Sequence, residues 1–211
     1  MFNLLKAYAT VLKISIAICL LCACKSNNQK HPPPPVSLKY YSQALGLMKF
    51  VKEKDSCRKA IQLLDKATSS DSNFFNAHYN KLLFLNELKD YKKCIAVINS
   101  LNRIKPNAND IYLLSGVFLD KIGDTTLANN YFSKSLEICS NVLDTMHISN
   151  NDYQILLGNK AFNLIMTGDR AKADKAFQSL YLLQSDEEIK KETLAISKMT
   201  KQQLEAHILG N

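Results

Sequence analysis

Ala77-His78-Tyr79-Asn80-Lys81-Leu82-Leu83-Phe84-Leu85-Asn86-Glu87-Leu88-Lys89-Asp90-Tyr91 runs directly into Lys92-Lys93-Cys94-Ile95-Ala96-Val97-Ile98-Asn99-Ser100-Leu101 and closes at Pro106. The pattern of small and apolar residues in this stretch repeats on both sides of it. Three windows of 34 residues follow without a gap: Tyr41–Phe74, Phe75–Ala108 and Asn109–Val142. Ala60, Cys94 and Ala128 lie 34 apart, as do Leu64, Ile98 and Phe132, and Ala67, Leu101 and Ser135. A fixed period near 34 is the sequence sign of stacked helix–turn–helix units. Such a chain presents a surface, so binding is the first hypothesis and catalysis the second.

The units resemble tetratricopeptide repeats. In the second, Leu85, Tyr91, Cys94, Ile98, Leu101 and Pro106 keep the family pattern, while His78 and Leu82 stand where an aromatic and a small residue are usual. In the third, Tyr112 is the aromatic, Gly116 the small residue at a close helix crossing, and Gly123-Asp124 the turn, followed by Ala128, Phe132 and Ser135. The first has Met48 at the small slot, then Ala60, Ile61, Leu64 and Ala67, and ends at Ser69-Ser70-Asp71. A fourth, Gln154–Glu187, is set by Gly168-Asp169, 45 residues after Gly123-Asp124, with Leu157, Ala161, Leu164, Ala173, Phe177 and Leu180 in register. The extra residues fall at 143–153 and predict a longer preceding helix together with a loop at Ser149-Asn150-Asn151-Asp152. Ser185-Asp186-Glu187-Glu188 and Thr200-Lys201-Gln202-Gln203 are capping-box starts for a helix over Asp186–Lys198 and a short one ending before Gly210. Residues 188–211 therefore read as a cap on the last apolar face. The resemblance implies an all-α fold over 37–211, a right-handed α-solenoid of antiparallel helix pairs with C-terminal capping helices.

In that family the first helix of each unit lines a concave face. Transferred by position, the face here comprises Leu45, Lys49 and Lys52, then Tyr79, Leu83 and Asn86, then Leu113, Val117 and Asp120, with Phe162 and Ile165 from the fourth unit. One subset of the family clamps a C-terminal carboxylate with Lys and Asn at these places; here only Lys49, Lys52 and Asn86 match. The groove reads as apolar in the middle with a basic end, suited to an amphipathic helix or an extended apolar segment of a protein partner. The alternative is that these apolar residues pack on 143–153 or on the C-terminal helices and leave no open groove.

The first 23 residues stand apart from the domain. Lys6 and Lys13 give a positive start, Ile14 to Leu21 an apolar run too short to span a bilayer, and Leu21-Cys22-Ala23-Cys24 resembles a bacterial lipobox. That resemblance implies acylation of Cys24, which then becomes the mature N-terminus. The alternative is an ordinary signal peptide or a short uncleaved anchor. Residues 24–36 read as a tether: polar through Lys30, then the extended run His31-Pro32-Pro33-Pro34-Pro35, a spacer or a ligand for a polyproline reader. Lys25 is not the acidic residue that favours inner-membrane retention in many Gram-negative bacteria, so the expected address is the cell envelope, at the outer membrane.

The formal charge is +8, and +6 once Lys6 and Lys13 are removed with the signal. The lysines are spread along the sequence with no basic stripe interleaved with aromatics, which argues against nucleic acid. Attraction to an anionic surface or an acidic partner is consistent with it. Cys57, Cys94 and Cys139 match no zinc spacing, and Cys94 at the small-residue slot reads as a core thiol. The histidines, His31, His78, His147 and His207, are isolated, and no phosphate loop, GxSxG or HExxH occurs. No enzyme activity, metal, cofactor or small-molecule substrate is expected. Three roles remain: a lipid-anchored interaction scaffold, a dedicated outer-membrane protein or pilus assembly lipoprotein, and a docking component of a surface nutrient-uptake system.

Overall fold

The computed structural model describes residues 32–150 and 152–210. The lipobox, Cys24 and the tether up to His31 lie outside them. Among the described residues there are ten α-helices, one 3-10 turn and no strand. The helices are α1 Pro35–Leu45, α2 Lys54–Ser70, α3 Phe75–Glu87, α4 Tyr91–Ile104, α5 Asn109–Lys121, α6 Thr125–Leu143, α7 Tyr153–Met166, α8 Arg170–Leu183, α9 Glu187–Ser197 and α10 Lys201–Leu209. They form two compact units. The N-terminal unit holds residues 32–107 and Phe118–Thr125; the C-terminal unit holds Ala108–Val117, 126–150 and 152–210.

In the N-terminal unit α1 packs on α2, α2 on α3, and α3 on α4. Its core is built from the residues in repeat register. Ala44, Cys57, Ala60, Leu64, Ala67, Ala77 and Phe84 are fully buried with Phe74. The Tyr41 ring lies 4.9 Å from that of Phe74, and the Asn80 amide donates to the Tyr41 hydroxyl at 2.8 Å. The first helix departs from the register expected of it. α1 starts at Pro35, inside the span read as tether, because proline at the first helical position loses no hydrogen bond. It stops at Gly46, a poor helix former, and Met48 falls in the 3-10 turn Met48–Phe50 instead of at a close helix crossing.

In the C-terminal unit α7 packs on α8, α8 on α9, and α10 on α7. Gly116 meets Phe132 so closely that a Cβ there would lie 2.3 Å from the ring. α6 carries the extra residues as far as Leu143, and 144–150 continue as turns, tightened by a His147 Nδ1–Ser149 Oγ contact of 2.7 Å. The end of the chain follows its signals. The Asp186 carboxylate accepts the amides of Glu188 and Ile189, so the N-cap of α9 is Asp186, one residue later than the expected Ser185. Thr200 and Gln203 form a reciprocal capping box on α10, and Gly210 ends it in the left-handed region at φ 71°.

One turn recurs within helix pairs. After α3, α5 and α7 the chain passes through Lys89, Gly123 and Gly168, at φ 56°, 88° and 87°. In each, the next amide bonds back five residues: Asp90 to the Leu85 carbonyl, Asp124 to Leu119 and Asp169 to Leu164, at 3.0, 3.0 and 2.8 Å. This closes the orphan carbonyls of the first helix. The aspartates of two of the turns then cap the second helix, Asp90 accepting from the Lys93 amide and Asp169 from the Lys172 amide. Lys89 carries a Cβ in a conformation that disfavours one. Lys89→Gly is therefore expected to stabilise the protein by about 0.5–1 kcal/mol, and Gly168→Ala to destabilise it by a similar amount, in urea unfolding followed by helical circular dichroism.

Candidate functional site

Tyr79, Leu83 and Asn86 follow i, i+4, i+7 along α3 and form one line on its surface. All three are half-buried. The Tyr79 ring stacks on Phe75 at 5.8 Å, and the Lys105 ammonium sits 3.9 Å above the Phe75 ring, which fixes the start of the line. Its other end is basic. Lys52 pairs with Glu87, next to Asn86, at 2.9 Å, while Lys49 lies 4.9 Å over Phe50. Lys49 and Lys52 are exposed, and Leu45 and Asp120 are half-buried. This surface belongs to the N-terminal unit.

The expected site residues of the C-terminal unit lie differently. Val117 has no exposed surface, and Leu113 and Ile165 keep 5% and 7%. They are core residues, closed to a partner in this conformation. The reason is that α5 and α7 are apolar around most of their circumference: Ile111, Leu113 and 115–119 are buried on α5, and Leu156, Leu157, Ala161 and 163–166 on α7. Phe162 is half-buried, its ring 6.1 Å from Phe177.

Two features of this unit escape a reading by hydrophobic pattern. A polar chain runs through its core: the Asn163 amide donates to Ser135 Oγ at 2.8 Å, Ser135 donates to the Asn109 carbonyl at 2.7 Å, and the Asn159 amide donates to Asn109 Oδ1 at 2.9 Å. Asn159 and Asn163 at i, i+4 on an apolar helix were the available signal. In addition, the Arg170 guanidinium donates to the carbonyls of Met199 (2.9 Å) and Ser197 and pairs with Asp174 at 2.9 Å. It closes the C-terminal end of α9 from the first residue of α8.

No family model and no curated protein matches the sequence. Among solved structures the chain is similar to PilW, described as a widely conserved type IV pilus biogenesis factor. The identity is 21%, over 81% of this chain and 72% of that one, with a TM-score of 0.55. It is also similar to MamA, residues 41 to the end, from Desulfovibrio magneticus RS-1 (17% identity, 83% and 94% covered, TM-score 0.47). A MamA RS-1 ArsTM double mutant aligns at 15% identity, 83% and 85% covered, TM-score 0.48. The likeness to PilW bears on the fold, which is an all-α repeat of tetratricopeptide-like helix pairs, the α-solenoid class.

The titratable groups are arranged for packing. Burial pushes the thiols of Cys94 and Cys139 up to about 12 and raises that of Cys57, whose Sγ donates to the Val51 carbonyl at 2.8 Å. Burial also lowers the pKa of His78 and of His207. Among the described residues no group of three or more His, Cys, Asp or Glu is placed to hold a metal, and no helix is long and apolar enough to cross a membrane. A thiol held protonated and covered is a poor nucleophile. Cys57, Cys94 and Cys139 are expected to resist a disulfide-exchange reagent at pH 8 in the folded protein and to react together in denaturant, as read by thiol release and mass spectrometry.

Proposed function

We propose that the chain is a protein–protein interaction scaffold, held on a bacterial envelope membrane by acylated Cys24. Its partner presents a helix or an extended segment to the α3 line. The observation that carries the proposal is that line: Tyr79, Leu83 and Asn86 each remain half-open, and the line ends at exposed Lys52 and Lys49. Aromatic and leucine anchors beside a cation are what an amphipathic segment with an acidic end requires. Asp120, half-buried in the same unit, is a further contact in this proposal; Leu113, Val117 and Phe162 lie in the C-terminal unit and form no part of it.

The lipid anchor rests on Leu21-Cys22-Ala23-Cys24 and on the distance that follows. Ten residues, 25–34, separate Cys24 from α1. Extended, they span about 30 Å, enough to hold a small domain clear of lipid headgroups. The outer membrane is the proposed address, on the absence of an acidic residue at Lys25. A role in pilus or outer-membrane protein assembly is the second reading. PilW's description as a pilus factor belongs to PilW, so the partner's identity decides this point.

Two measurements test the proposal. In a Gram-negative host fed a clickable palmitate analogue, the full-length protein is expected to take up label and Cys24→Ser to lose it. Label retained by Cys24→Ser would remove the anchor assignment. In a pull-down from detergent-solubilised envelopes, a Tyr79→Ala/Leu83→Lys variant with unchanged helical circular dichroism is expected to lose a partner that the wild type holds. An unchanged partner list would move the site off α3, and a β-barrel or pilus component among the lost partners would establish the assembly role.

A further inference from the structure

A second surface of the N-terminal unit faces away from the α3 line. Leu88 lies nine residues after Tyr79, half a helical turn round from it. Between α2, the end of α3 and the start of α4 there is a cleft of ≈ 490 Å³ whose lining includes Lys54, Arg58, Ile61, Leu88, Asp90 and Lys93. Lys54, Arg58 and Ile61 follow i, i+4, i+7 on α2, so one helix supplies two cations and part of an apolar floor. Ile61 and Leu88 are half-buried, while Lys54, Arg58 and Lys93 are exposed.

Cations outnumber carboxylates in the lining of the cleft. Its three cations face a single carboxylate, Asp90, and that group is already committed: it caps α4 and pairs with Lys93 at 2.7 Å. Arg58 is paired with Asp55 of its own helix at 2.6 Å. Both pairs are local and solvent-exposed, a type that contributes little and exchanges readily for another carboxylate. Lys54 opens α2 between Glu53, which makes no side-chain cap, and Asp55, the partner of Arg58.

We infer that this cleft seats an acidic amphipathic peptide segment of a partner protein. Its apolar side chain rests on Ile61 and Leu88, and its carboxylates bridge Lys54 and Arg58 on one wall and Lys93 on the other. The chain's own N-terminal residues are the wrong occupant: residues 1–31 contain lysines and no Asp or Glu. The site is independent of the α3 line.

The test uses the full-length protein in micelles of a neutral detergent. The probe is a fluorescein-labelled helical peptide of about four turns, with leucines at i, i+4 flanked by glutamates; its counterpart has glutamine at every glutamate. By anisotropy, the glutamate peptide is expected to bind at least tenfold more tightly than the glutamine peptide, and binding should weaken as salt rises. Arg58→Glu/Lys93→Glu is expected to lose binding at least tenfold. Glu at 93 sits three residues after the Asp90 cap, where it suits the helix start, and both positions are exposed, so the variant should keep its fold by circular dichroism. Lys191→Glu, a charge reversal at an exposed position of the C-terminal unit, is expected to bind as the wild type does. Equal affinity for the two peptides, unchanged binding by the charge-reversed variant, or no binding of the glutamate peptide would each overturn the inference. Loss of binding in Tyr79→Ala/Leu83→Lys instead would assign the peptide to the α3 line.

Discussion

Helices in this protein can stack only because one side chain in each pair is small. Ala60 and Cys94 in the N-terminal unit, and Ala128 and Ala173 in the C-terminal unit, have no exposed surface at all. Each is a small side chain enclosed on every side. Larger residues then fill the space alongside: Leu64 and Ile98, Phe132 and Phe177 are buried one turn further along their helices. Gly116 is the extreme case, since the Phe132 ring occupies the volume that any side chain there would need. Close-packed interiors tolerate little change of volume. The 34-residue period is therefore a spacing of permitted close approaches.

Given that packing, the turns must return the chain within a few residues. The left-handed residue followed by aspartate does this in two steps. It satisfies the last carbonyls of one helix, then the first amides of the next. Lys89 shows that the geometry is imposed by the packing and not by glycine itself, because the same bonds form around a residue that disfavours the conformation. The Lys89 turn also has an electrostatic consequence. It places the Asp90 cap and Lys93 opposite Lys54 and Arg58, so a structural device and a basic cleft share the same residues.

The sequence carried much of this, and the exceptions have physical causes. The slots at Ala60, Cys94, Ala128 and Ala173, the turns at Gly123 and Gly168, and the caps at Thr200 and Gly210 were legible because each depends on one residue type at a fixed spacing. The first helix departs from the register of the later units because proline at 35 and glycine at 46 set its ends locally. The Lys89 turn was hidden by a residue that does not announce a turn, although it stands 34 before Gly123. Of the expected binding residues, Leu113, Val117 and Ile165 proved to be core, since position on a repeat says which face a residue lies on and not whether that face is covered. The basic cleft was invisible for a different reason: Arg58 and Lys93 are 35 apart, and only the packing of α2, α3 and α4 brings them together. Buried Asn159 and Asn163 look like surface residues until the helix around them is recognised as buried.

The periodic small side chain is the condition for everything else, including the two surfaces proposed to hold a partner. Cys94 tests it most directly, because it is the one such slot not filled by alanine in the repeat series. Urea unfolding of Cys94→Ala and Cys94→Phe, followed by helical circular dichroism, separates size from chemistry. Cys94→Ala is expected to stay within about 1 kcal/mol of the wild type, and Cys94→Phe to lose about 3 kcal/mol or fail to fold. Equal stability of the two variants would contradict it, since the close approach at this slot would then not be what holds the helices in register.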